Sequence, residues 1–61
     1  MKKIAKGYYI GVLNGIYFDI IKVEGLNKWY WKIGNKGGED WFDTKIIAKL
    51  AAEEAIVQGL Y

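Results

Sequence analysis

The chain has no cysteine and no histidine, and all nine of its basic residues are lysine. Each absence removes a class of chemistry. Without cysteine there is no disulfide staple. With neither cysteine nor histidine, a tetrahedral zinc site would have to be built from carboxylates, which make a poor zinc cage. Serine is missing as well, so nucleophilic catalysis lacks its usual side chains, and the single threonine, Thr44, is explained by helix capping. No cofactor motif is present. The absence of arginine weakens groove readout, because bidentate Arg to guanine is the commonest specific contact. Long apolar runs are also missing: nothing approaches the roughly 18 to 20 consecutive residues of a membrane span. Nor does the opening Met1-Lys2-Lys3 read as a signal peptide. Lys6, Tyr8 and Tyr9 interrupt the apolar segment of about 7 to 15 residues that a signal requires. The expectation is a soluble, cytoplasmic, non-enzymatic protein with no membrane partner.

What the chain does have is apolar bulk. Of its 61 residues, 52% are hydrophobic, and ten are aromatic: three Trp, five Tyr and two Phe. One domain of this size lies near the lower limit for independent folding and normally needs a staple. With disulfide and zinc excluded, dense aromatic packing and oligomerisation remain. The net charge of +2 is too small a bias to mark a nucleic-acid binder by itself.

The organising stretch runs from Ile4 to Val23, two β-prone segments meeting at Asn14-Gly15. That dipeptide is the strongest local hairpin signal, because a type I′ turn needs positive φ at both central residues. Taking it as the loop pairs Leu13 with Ile16, Gly11 with Phe18, Ile10 with Asp19 and Tyr8 with Ile21. Side chains alternate across a strand, so one face would carry Ala5, Gly7, Tyr9, Gly11, Leu13, Ile16, Phe18 and Ile20. The other would carry Ile4, Lys6, Tyr8, Ile10, Val12, Tyr17, Asp19, Ile21 and Val23. Both faces are apolar, where a half-exposed antiparallel sheet should have one polar face. Glu24-Gly25-Leu26-Asn27 reads as the next turn. A third strand then alternates Trp29, Trp31 and Ile33 with Lys28, Tyr30 and Lys32, and Gly34 to Gly38 reads as an irregular link.

Asp43 or Thr44 is a suitable N-cap for a helix rich in Ala, Leu, Lys and Glu, and Gly59 sits where a C-cap glycine belongs. The pattern predicts an α+β fold: a three-stranded antiparallel meander over about 3–13, 16–24 and 28–34, and one C-terminal helix over about 44–58 packed on one sheet face. At 100° per residue the helix carries two apolar stripes. Ala48, Ala51, Ala52, Ala55 and Ile56 form a small-residue face suited to lying close on the Gly7/Gly11 side of the sheet. Ile46, Leu50, Val57, Leu60 and Tyr61 form a large-residue stripe on the opposite side, interrupted by Glu53.

The tail Trp41-Phe42-Asp43-Thr44-Lys45, followed by Ala48 and then Ala51-Ala52-Glu53-Glu54-Ala55-Ile56, resembles the ending of small βββα accessory proteins from phages and mobile elements. It is also similar to the arm-binding domain at the N-terminus of tyrosine integrases. The resemblance covers the last third of the chain. It implies a sheet packed on a C-terminal helix and, in the integrase type, DNA contact through basic residues on the open sheet face. Here that face carries Tyr8, Ile10, Val12, Tyr17 and Asp19, with Lys6 its main basic side chain. The phage resemblance implies an accessory protein, or an inhibitor of a host or defence factor, working in the host cytoplasm.

Three constellations have a bland explanation. Glu39, Asp40 and Asp43 around Trp41 could hold a cation, but they also suit a solvated loop and a helix N-terminus. Gly34 to Gly38 lacks the Lys-Ser/Thr pair of a phosphate cradle. Lys28-Trp29-Tyr30-Trp31-Lys32 could stack bases and contact phosphates, which makes Lys28, Tyr30 and Lys32 the candidates for an alternative nucleic-acid role. The surplus apolar surface remains. A chain this small cannot bury two sheet faces and two helix stripes, and contiguous exposed apolar patches mark interaction sites. The expected interface residues are Ile46, Leu50, Val57 and Tyr61 on the helix and Tyr8, Ile10 and Tyr17 on the sheet. They would serve a homodimer, a larger protein partner, or both.

Overall fold

A computed structural model describes residues 1–61. The fold is α+β: an antiparallel sheet with one C-terminal helix laid across one face. The sheet has five strands, β1 (Lys2–Ala5), β2 (Tyr8–Leu13), β3 (Ile16–Lys22), β4 (Trp29–Ile33) and β5 (Lys36–Gly37), in sequential order β1-β2-β3-β4-β5. The helix α1 spans Lys45–Gln58.

The five strands correct the expected three at two places. The first expected strand is two strands, folded back at Lys6-Gly7, where Gly7 takes φ +76°. β1 pairs Lys2 with Ile10 and Lys3 with Tyr9, then slips by one residue so that Ala5 meets Tyr8. Gly7 therefore sits in a turn and not on the helix-facing side of β2. The second correction is at Gly34-Asn35. Gly34 at φ +59° lets the chain reverse in two residues, and Lys36 pairs with Ile33 and Gly37 with Lys32. The supposed irregular link thus begins with a tight hairpin.

The central hairpin has the register that Asn14-Gly15 dictates, with all six pairs from Leu13–Ile16 to Tyr8–Ile21 formed. Asn14 (φ +51°) and Gly15 (φ +76°) are both left-handed, as a type I′ turn demands. β3 pairs with β4 from Asp19–Lys32 to Lys22–Trp29. Beyond β5 the chain stays against β4: Gly38 N–H donates to the Trp31 carbonyl, and Trp29 and Phe42 exchange two backbone hydrogen bonds of 2.8 Å.

Helix α1 starts where Thr44 Oγ1 accepts from Ile47 N–H at 3.2 Å and stops at Gly59, left-handed at φ +70°, whose N–H bonds back to the last turn. Its alanine face meets the sheet. Ala48, Ala52, Ala55 and Ile56 are buried with Phe18, Ile20 and Ile33, and Tyr9, Leu13, Ile16, Trp29, Trp31 and Phe42 pack around them. Small side chains bring the helix axis close to the strands, and Gly11 extends the same economy to the sheet. A Cβ there would stand 2.3 Å from Phe18 Cζ, so the ring occupies the space that any larger residue would need. Trp31 covers Gly38 in the same way. Only seven residues are buried. The aromatic rim therefore supplies much of the apolar contact that a small core lacks.

Candidate protein-binding surfaces

Docking the helix on the Tyr9/Gly11/Phe18/Ile20/Trp31 face leaves the opposite sheet face uncovered. By alternation it presents Tyr8, Ile10 and Val12 from β2, Tyr17, Asp19 and Ile21 from β3, and Tyr30 and Lys32 from β4. Tyr17 is 70% exposed, its cross-strand partner Val12 is exposed beside it, and Trp41 is exposed elsewhere. Trp41 stands with Ile21, Val23 and Tyr30 around a hollow at one end of the face. Trp41 and Phe42 are adjacent apolar residues in the sequence. The two part company, because Phe42 pairs in register with Trp29 and packs on the core while its neighbour points the other way.

The second surface is the outer ridge of α1. Leu50 is 58% exposed and Val57 68%, and Ile46 is also exposed. Leu60 and Tyr61, expected on the same stripe, lie past the C-cap Gly59 and outside the helix, where the Leu60 carbonyl accepts from Lys36 Nζ of β5. Ile47, also exposed, joins this ridge although it lies outside the expected large-residue stripe. Glu53 interrupts the ridge less than its position suggests, because it turns aside toward Lys49 at 3.8 Å.

The structure does not bring the two sets together. Ile46, Leu50 and Val57 lie on the far side of the helix layer, and Tyr61 lies beyond the end of α1. Tyr8, Ile10 and Tyr17 lie on the far side of the sheet layer, with the core between them. The molecule has two separate apolar surfaces, back to back.

Polar contacts fix several side chains at the margins. Tyr8 O–H donates to Asp19 Oδ1 at 3.1 Å, and this bond, with some desolvation and the nearby negative charge, raises the Tyr8 pKa. On the helix side Lys45 Nζ donates to Tyr9 Oη at 2.8 Å and lies 4.4 Å from the ring centroid. That bond lowers the Tyr9 pKa, against an opposing push from desolvation. Lys28 is ion-paired with Asp43, which holds the Asp43 carboxyl below its ordinary value, first through the hydrogen bond and then through charge. Of the three nucleic-acid candidates, then, Lys28 has its charge matched by Asp43, while Tyr30 and Lys32 share the open face with Asp19. No three Asp or Glu side chains converge as metal ligands would, so Glu39, Asp40 and Asp43 form no cluster. No helix is long and apolar enough to cross a membrane.

Comparison with protein-family models, with curated proteins and with solved structures finds no match for this chain.

Proposed function

We propose that the chain is a small non-enzymatic protein-binding module, of the phage accessory or host-directed inhibitor type, which acts by laying an apolar surface on a larger protein and also self-associates. One observation carries this reading: the outer ridge of α1. The helix has already buried one apolar face against the sheet, yet Ile46, Leu50 and Val57 stand in water on the other. A helix that needed only to cover the sheet would be polar on its outer side. Spacing of four and seven residues between these three side chains is the pattern by which an amphipathic helix anchors in a groove. Occupying such a groove is enough to block a partner without any chemistry.

The test is capture. Tagged chain is incubated with bacterial lysate beside a Leu50→Glu/Val57→Glu variant, whose circular dichroism and melting temperature should match those of the parent because both residues are exposed. A protein retained by the parent and absent from the variant is the expected result. Equal retention by both removes the ridge from the function.

A further inference from the structure

We propose that the open sheet face is the seat of a second copy of this chain, paired face to face about a two-fold axis, while the helix ridge is left for the larger protein. This rests on the protein-binding reading above and assigns each surface one occupant.

Area separates the two surfaces. The five strands hold 24 residues, which at ~3.3 Å along the strand and ~4.8 Å across it outline about 380 Å². Side-chain relief raises the accessible area toward the roughly 600 Å² per partner at which specific interfaces begin. The ridge offers far less. Fourteen helical residues make a rod about 21 Å long and ~10 Å wide. Two such convex ridges touch along a line, whereas a groove on a larger protein wraps one of them. The sheet face suits a flat partner, and the ridge suits a concave one.

Charge selects the copy. Asp19 and Lys32 are direct cross-strand partners on the open face. Lys32 has no carboxylate within ion-pair distance, since the two ion pairs are Lys28–Asp43 and Lys49–Glu53. A two-fold axis running along the strands, midway between β3 and β4, sets each Asp19 against Lys32 of the other copy and each Ile21 against Tyr30. Opposite charges meet, apolar meets apolar, and no like charges oppose. An isologous contact demands this self-complementarity. The sheets would then stack about 10 Å apart with their strands aligned.

Edge-to-edge pairing does not compete. The two β1 edges would bring Lys2, Lys3 and Lys6 of both copies together. The β4 edge is already closed by residues 36–42.

Sedimentation equilibrium from micromolar to millimolar concentration tests the assignment. A monomer–dimer equilibrium is expected within this range. Lys32→Glu, which would face Asp19 with a like charge, should raise Kd about tenfold or more, and adding Asp19→Lys should restore dimerisation. Tyr17→Lys, at the most exposed aromatic of the face, should also weaken the dimer, and it stands in if Lys32→Glu disturbs the fold. Leu50→Glu should leave Kd unchanged. A parent chain that stays monomeric overturns the inference while leaving capture through the ridge intact. So does a dimer split by Leu50→Glu and indifferent to Lys32→Glu.

Discussion

At the scale of single residues, two adjacent tyrosines show how much environment decides. Tyr8 and Tyr9 are neighbours in sequence but point to opposite faces of β2. Tyr8 O–H donates to a carboxylate, which works only while the phenol is protonated, so its pKa rises above the ordinary 10.0. Tyr9 accepts from an ammonium, which favours the phenolate, so its pKa falls below that value. The signs differ accordingly. The contribution of Tyr8 to stability is full at neutral pH and disappears as pH rises through its raised value. The titration-linked contribution of Tyr9 is present above its unfolded value and disappears as pH falls through its lowered one. Ring resonances followed by NMR during alkaline titration should show Tyr9 ionising before Tyr8. Lys45→Met should move Tyr9 upward and Asp19→Asn should move Tyr8 downward. Two rings that titrate together would refute both contacts.

At the scale of elements, the legible parts were those whose residues have few alternatives. Asn14-Gly15 fixed the register of β2 on β3 because few dipeptides tolerate two left-handed residues. Thr44 and Gly59 fixed the ends of α1 for similar reasons, one by its hydroxyl and one by its positive φ. The alanine stripe correctly identified the docking face. Gly7 and Gly11 explain the missed strand. Both lie in one β-prone run, yet Gly7 turns the chain while Gly11 stays in the strand to admit the Phe18 ring, and nothing local separates the two uses. Gly34-Asn35 hid differently, as one hairpin signal within a glycine-dense stretch. The interface candidates were legible as lists of apolar residues. That they form two opposed surfaces depends on the helix lying across the other face of the sheet. The close approach at Gly11 also yields a number. Gly11→Ala would place a Cβ against Phe18, which is 1% exposed and cannot retreat. Overpacking of this kind costs roughly 1–3 kcal/mol, read as a lower urea midpoint at unchanged slope. A midpoint equal to the parent's would mean that β2 and Phe18 are further apart than the structure places them.

At the scale of the whole molecule, the question is what protects a chain so rich in β-prone apolar sequence from open-ended strand pairing. Exposed strand edges template further strands, and natural sheets protect them with charge, short strands or cover. Both edges here are protected, by different means. Residues 36–42 cover β4 on one side. On the other, β1 is four residues long, fully exposed and guarded by Lys2 and Lys3, with Lys6 in the turn beyond, and none of the three lysines is in an ion pair. Their unpaired charge is therefore consistent with repulsion between copies and not with a fold-stabilising contact. It follows that removing it should change association far more than stability. Lys2→Thr/Lys3→Thr, which keeps β-propensity and leaves the core untouched, should melt within a few degrees of the parent. It should also form large particles by light scattering at concentrations where the parent stops at a small, discrete species, and it should do so more readily as salt screens Lys6. If the variant scatters no more than the parent, edge protection comes from the one-residue slip at Ile4, which bends β1, and the lysines are free for another role.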